Sequence, residues 1–294
     1  MSQTAALIVN GKSRRGREWF AQAENALKEA GIELSISKLL KDPRQISPIV
    51  KDAIAKNTPL VCVGGGDGTF SAVAQHFIGK ESILGVLPLG TGNSLARDLG
   101  INANVEEAVK TVIEGRVEHI DLGKVNNEYF VNVATIGLTT RIAEGLDDAA
   151  KKRFGRAVYL FAIIKAVASA SPFRVSLTIE GKEHSFRSFQ VVVGSGRYHG
   201  GPFPVTPEAS IESGKLAGYV LTSTRRSVLL KYGINLWLKR QTEMPEVFQF
   251  EAETLMIKTI PVKRITIDGE IKIRTPGEFK ILPAAIKVMA PNEK

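Results

Sequence analysis

The spacing of apolar and polar residues along this chain changes character near residue 120, and the change predicts two architectures. Up to that point, short apolar runs alternate with helical patterns. "AALIVN" (5–10) reads as a strand, after which Trp19, Phe20, Ala23 and Leu27 recur on one helix face and stop at Gly31. "IELSISKLL" (32–40) is a second strand, "ISPIVKDAIAKN" (46–57) a helix, and "PLVCV" (59–63) a third strand. A helix through Phe70, Val73, Ala74 and Phe77 follows. The strand "ILGVLPL" (83–89) comes next, then a helix carrying Val105, Ala108, Val109, Val112 and Ile113. Strand alternating with helix predicts parallel pairing and a sheet covered on both faces.

Past Asp121 the runs become strands joined by Gly, Asn or Asp turns: "YFVNVATIGL" (129–138), "RVSLTIEGKEHSFRSFQVVVGS" (174–195), "KLAGYVLTS" (215–223) and "RITIDGEIKIRT" (264–275). That pattern suits an antiparallel sheet or sandwich. Two helices interrupt it, around Arg156–Ala170 and Ser227–Lys239. The fold class is therefore α/β plus all-β: an N-terminal three-layer α/β domain of nucleotide-binding type, then an antiparallel β-sandwich domain.

Composition narrows the partners. The 294 residues are 44% hydrophobic and 23% charged, enough for two modest cores. A formal net charge of +9 calls for an anionic partner: nucleic acid, a phosphorylated small molecule or a membrane surface. Cys62, the single cysteine, lies between Val61 and Val63 and reads as a buried strand residue, so no intrachain disulfide forms. The opening apolar run is too short for a signal peptide, and "AVYLFAIIKAVASA" (157–170) is broken by Lys165, short of a membrane span. A soluble, cytoplasmic protein is expected. Nucleic acid is the least favoured partner, because basic residues are scattered and no aromatic stacking motif appears.

The chemistry concentrates in "VCVGGGDGTF" (61–70). A buried strand ending in Gly64, Gly65 and Gly66 before a helix lets backbone N–H groups approach a ligand, since no Cβ intervenes and positive φ is open to glycine. Phosphate is the matching ligand. Asp67, with Gly68 and Thr69 after it, would repel phosphates unless a hard divalent cation such as Mg²⁺ lay between them. A tight strand–helix turn with a solvated aspartate also accounts for the pattern. A second loop in "LPLGTGNSLARDLG" (87–100) sets Gly90, Thr91, Gly92 and Asn93 at another strand's carboxyl end, where open parallel sheets bind ligands. Asn93 reads equally as a helix N-cap.

These two segments, "GGDGT" and "PLGTGNSLARDLGI", resemble the catalytic signature of the diacylglycerol kinase and sphingosine kinase superfamily, in particular its soluble bacterial lipid kinases. "VNGKS" (9–13), "FVNVATIGL", "RYHGGPFPVTPEA", "IDGE" and "FKILPAAIKVMAP" follow in the family's order. The resemblance implies an α/β nucleotide domain over 1–122 with a C-terminal return at 283–294. A β-sandwich over 123–282 would contribute the lipid site and the general base. It implies that the two glycine loops hold ATP, that Asn10 lines the same mouth, that Asp67 ties Mg²⁺, and that Glu270 takes the proton from the acceptor hydroxyl. From residues alone, Asp-Gly at 268–269 is a hairpin signal that needs no catalysis. Both readings are compatible, because a hairpin tip is a rigid mount for a base.

Three family carboxylates are replaced, by Ser94, Thr139 and Ala217. Hydroxyls are weaker cation ligands, so a protein of the same fold that binds nucleotide or lipid without turnover is the alternative. Asp121 and Asp98 remain, Asp98 reading as a helix-surface or capping charge, and Glu212 stands near enough in sequence to compensate. His199 sits beside a Gly-Gly pair without zinc spacing. A lipid kinase meets its acceptor at an anionic membrane surface, here the inner face, through peripheral contact. Arg14, Arg15, Arg17, Lys151, Lys152, Arg153 and Arg156 are candidates for that face, or a solvated one. Tyr159, Leu160, Phe161, Ile163 and Ile164 border an acyl pocket or are core. No feature specifies an oligomeric state.

Overall fold

The computed structural model describes residues 4–13, 15–138, 169–199 and 203–292. The helix expected around Arg156, its apolar residues, the basic run 151–156, Thr139 and Arg14 lie outside the described residues, as does the side chain of His199.

The first half alternates as its apolar pattern predicts. It runs β1 (Thr4–Asn10), α1 (Gly16–Glu29), β2 (Glu33–Leu40), α2 (Ile46–Ala55), β3 (Leu60–Gly65), α3 (Asp67–Ala74), β4 (Ile83–Pro88), α4 (Ser94–Asp98) and α5 (Val105–Glu114). Strands β2, β1, β3 and β4 are neighbours in that order and parallel. Residues Ala5–Val9 and Leu60–Val63 are fully buried, as expected of strands covered by helices on both faces. Trp19, Ala23 and Leu27 of α1 and Val50 and Ile54 of α2 complete this core. Cys62 lies within it, its thiol pushed up to about 12 by burial.

The second half begins with β5 (Arg116–Val125), β6 (Glu128–Phe130), β7 (Val133–Gly137), β8 (Phe173–Ile179), β9 (Lys182–Ser188) and β10 (Gln190–Gly194). It continues through β11 (Tyr198–His199), β12 (Phe203–Pro204), β13 (Leu216–Leu221), α6 (Arg226–Trp237), β14 (Val247–Ala252), β15 (Thr254–Ile260), β16 (Arg264–Ile267), β17 (Glu270–Arg274) and β18 (Gly277–Ala290). The stretch expected as one strand over 129–138 is two, β6 and β7, parted by a bend at Val131 and Asn132.

β18 joins the halves. Its first residues pair antiparallel with β15, whereas Lys287 and Val288 lie parallel to β4, with Ala284 at φ 48° between the two stretches. One sheet thus runs β2-β1-β3-β4-β18-β15-β8-β9, with β5 on β18 and β6 on β5. A second, antiparallel sheet runs β14-β13-β10-β7-β16-β17. Period-two alternation gives this sheet two apolar faces. Ala134, Ile136, Val191, Val193, Leu216 and Val220 pack against Phe173, Val175, Phe279 and Ile281 of the first sheet, forming the sandwich. Val192, Ala217, Tyr219 and Leu221 face the other way, under Val228, Leu229 and Tyr232 of α6.

Candidate active site

The loops after β1, β3 and β4 meet at one edge of the parallel sheet, because Val9 pairs with Gly64 and Gly65 with Pro88. The glycines there serve close packing. None of Gly64, Gly65, Gly66, Gly68, Gly90 or Gly92 takes a positive φ, so the conformational freedom expected of them is not what the fold uses. A Cβ on Gly65 would lie 2.4 Å from the Thr69 side chain, and one on Gly90 would lie 2.7 Å from Gly66 Cα. The two glycine loops therefore touch backbone to backbone. α3 starts directly at Asp67, with the amides of Thr69 and Phe70 both donating to the Gly66 carbonyl.

Asn93 and Asp67 lock the two loops together. Asn93 occupies the residue before α4 in the left-handed region, φ 50°, and is buried. Its side chain does not cap the helix. Oδ1 accepts from the Gly90 amide at 2.8 Å and Nδ2 donates to the Gly90 carbonyl at 2.8 Å, closing the second loop on itself. The capping comes from across the cleft: Asp67 Oδ1 accepts from the Ser94 amide at 2.6 Å. Burial raises the Asp67 pKa, opposed by the backbone amides of Ser94, Asn93 and Leu95 and by the charge of Arg97. Asn10 Oδ1 accepts from the Lys12 amide at 3.0 Å, shaping the third loop. Thr91 is exposed at the rim.

The hairpin β16–β17 brings the distant Glu270 here. Asp268 and Gly269 are its two loop residues, both at positive φ (46° and 90°), the requirement of a tight Asp-Gly turn. Asp268 then does what periodicity could not foretell. Its carboxylate accepts from the amides of Val131, Asn132 and Val133 at 2.9 to 3.0 Å, the cause of the break between β6 and β7. Burial raises its pKa, against those amides and Ser71 of α3. The hairpin tip is thereby fastened to the bend at 131–133. Glu270 comes next; a methyl built on Gly68 would have Glu270 Oε1 as its nearest neighbour, at 3.9 Å. Glu270 is exposed to the cleft and pairs with Lys272 Nζ at 2.8 Å.

The remaining carboxylates take structural positions. Asp98, expected on the helix surface, turns inward: Oδ1 accepts from the Arg197 amide at 3.2 Å, Oδ2 is buried without a partner, and the pKa is raised by burial to about 7. Buried Asp121 accepts from the amides of Gly214 and Ala284, tying the 211–214 loop to the joint in β18. Glu212 is exposed on that loop. Ser94 is buried beneath Asp67, and Ala217 lies in the core under α6. Arg15 and Arg17 are exposed. Among the described residues no three His, Cys, Asp or Glu side chains converge as a metal-holding group.

One further feature has no motif. A cavity of about 260 Å³ adjoins the second glycine loop, lined by Asn93, Arg97, Asn102, Tyr198 and Lys239 among others. Its residues come from both halves of the chain and share no local spacing.

The family described as "Diacylglycerol kinase catalytic domain" matches residues 4–125, and that described as "YegS C-terminal NAD kinase beta sandwich-like domain" matches residues 132–290. A Staphylococcus aureus (strain Newman) protein named "Putative lipid kinase" is 27% identical over 247 residues, which is 81% of this chain and 79% of that protein. Two crystal structures from Bacillus anthracis str. Sterne each cover 98% of this chain and 97% of their own at 26% identity. One, described as "a putative diacylglycerol kinase", has a TM-score of 0.83, and the other, described as "a diacylglycerol kinases", 0.79.

Proposed function

This chain belongs to the diacylglycerol kinase family, with a YegS-type second domain, and we propose that it is a lipid kinase using ATP and Mg²⁺. In this reading it transfers the γ-phosphate to a hydroxyl of a lipid such as diacylglycerol, phosphatidylglycerol or a sphingoid base. The observation that supports the reading most is the approach of Glu270 to Gly68, which sets a carboxylate over a glycine loop made for close backbone approach.

In this reading, the loops Gly64–Thr69 and Gly90–Asn93 bind the polyphosphate through the main-chain amides that their own hydrogen bonds leave over, since the Gly90 amide is taken by Asn93 Oδ1 and the Thr69 amide by the Gly66 carbonyl, with Asn10 at the mouth. An alcohol is a poor nucleophile while protonated, and Glu270 Oε1 accepts its proton as the oxygen attacks. A positioned carboxylate of this kind is worth ~10²–10⁴ in rate. Lys272 Nζ pairs with that carboxylate at 2.8 Å. Asp268 is a positioning residue, fixing the hairpin against the bend at Val131–Val133.

Asp67 fits a cation that enters with the nucleotide. It is a hard oxygen donor at the loop mouth, and a carboxylate whose Oδ1 takes the Ser94 amide keeps lone-pair directions for an ion. Mg²⁺ is commonly held by one or two carboxylates with substrate phosphates and water. When bound, it neutralises phosphate charge during transfer.

The test is incubation of the purified protein with labelled ATP, Mg²⁺ and a panel of lipids, for the native chain and for Asp67→Ala. Label in a lipid product that disappears in the variant supports the kinase. ATP bound without transfer to any lipid would favour the alternative, a binding protein of the same fold.

A further inference from the structure

We propose that α6 is a membrane-docking helix that lays its outward face on an anionic phospholipid surface and presents the cavity beside the second glycine loop to it. The choice of a lipid surface rests on the lipid-kinase reading. The helix itself argues for docking independently.

α6 is apolar on both faces. Inward, Val228, Leu229 and Tyr232 pack on the second sheet, and the Tyr232 hydroxyl meets that of buried Tyr219 at 2.7 Å, so the rotation of the helix about its axis is fixed. Outward, Leu230, Ile234, Trp237 and Leu238 follow at intervals of four, three and one, the spacing of one stripe. They are 66%, 61%, 75% and 49% exposed. Single exposed leucines are ordinary, but an aligned stripe with a tryptophan marks an interaction face.

Charge decides which partner. Arg225 and Arg226 flank the stripe at the N-terminus and Lys239 at the C-terminus, all exposed. The first turn holds no acidic residue, and arginines there oppose the helix dipole. Nearby acids are engaged: Glu246 with Lys231 at 3.0 Å and Glu243 with Arg240 at 2.5 Å. An apolar stripe bearing tryptophan, ringed by cations, suits the interface of an anionic bilayer: the ring and aliphatic groups sit below the headgroups and the cations among them. A second copy of this chain would instead set these cations against their own kind.

Position ties the helix to the chemistry. Lys239, just past the end of α6, lines the same cavity as Asn93 and Arg97. A bilayer touching α6 therefore lies against the rim of the second glycine loop. No helix among the described residues is long and apolar enough to span a membrane, and this contact requires none.

Trp237 is a built-in probe, because the other tryptophan, Trp19, is 3% exposed in the core. The experiment mixes full-length protein with phosphatidylcholine vesicles, with and without phosphatidylglycerol. It reads Trp237 emission and co-sedimentation for the native chain and for Leu230→Ser/Ile234→Ser, which alters only exposed positions. The expected result is a blue shift and sedimentation with phosphatidylglycerol vesicles, weaker on pure phosphatidylcholine, and affinity reduced about tenfold or more in the variant. Unchanged thermal midpoints confirm that the variant folds. Native protein that ignores both vesicles, or a variant that binds as well as the native chain, overturns the proposal. So does a Trp237 shift that follows protein concentration without lipid, which would make a second copy the occupant. The readout needs no turnover: a kinase inactive for other reasons still binds vesicles, and an active kinase with an idle α6 does not.

Discussion

Glu270 Oε1 is the nearest atom to the space above Gly68, 3.9 Å from where a side chain would begin. Residues 202 positions apart (270 − 68) are thus brought face to face by the β16–β17 hairpin. Gly68→Ala places a methyl in that space without a clash, since 3.9 Å is ordinary contact. Stability is expected to hold or rise by about 0.5 kcal/mol, because alanine suits the first turn of α3 better than glycine. Lipid phosphorylation is expected to fall, with KM for ATP raised. Thermal unfolding and steady-state kinetics check the two halves of the expectation.

Gly90→Ala is expected to behave in the opposite way. Its Cβ would stand 2.7 Å from Gly66 Cα and 2.9 Å from Asn93 Oδ1, and backbone cannot yield as a side-chain tip can. The two loops must part, at a cost of about 1–3 kcal/mol. Chemical denaturation should show that loss, and calorimetry a matching fall in nucleotide affinity.

Asp268→Asn keeps the shape of the side chain but turns an amide NH₂ toward backbone donors that need an acceptor. The amides of Val131, Asn132 and Val133 then share one oxygen where they had two. A destabilisation of about 1–3 kcal/mol is expected. A drop in kcat exceeding any change in KM for ATP would mark a displaced Glu270, whereas a purely structural role would leave kcat of the folded fraction intact.

Asp98 carries a pH signature. Its folded pKa is raised to about 7 by burial, above an unfolded value near 3.8. Below about pH 4 both states hold the proton; as pH rises from there to about 7 only the unfolded state releases it, so stability falls across that window and levels off above it. Asp98→Asn cannot titrate. The variant is expected to gain stability over the native chain as pH rises, by on the order of 2–4 kcal/mol above pH 7. Thermal midpoints measured for both proteins at about pH 5 and about pH 8 test it; a variant less stable at the higher pH contradicts it.

Much of this was legible in the sequence, and the gaps have physical causes. Unbroken apolar runs at 5–9 and 60–63 announce parallel strands because both faces of such strands are buried, and Asp-Gly at 268–269 announces a hairpin because both residues need positive φ. Contacts across the fold leave no local period. Asp67 reads as a loop carboxylate, and nothing nearby shows that it caps α4 from the neighbouring loop. Asp98 has the spacing of a surface residue until β11 covers it. The glycines of the first loop were legible as close-approach residues, but what approaches includes Gly90 and Thr69, which only the tertiary structure brings there. The helix around Ser227–Lys239 was legible too, though which of its faces is covered depends on the sheet beneath.

In the proposed reaction the glycine-loop cleft transfers phosphate from ATP to a lipid hydroxyl with Glu270 as base. The most direct measurement compares kcat for lipid phosphorylation and Kd for ATP in the native protein and Glu270→Gln. A kcat lower by ~10²–10⁴ with Kd nearly unchanged is expected. Equal kcat in the two proteins would contradict it.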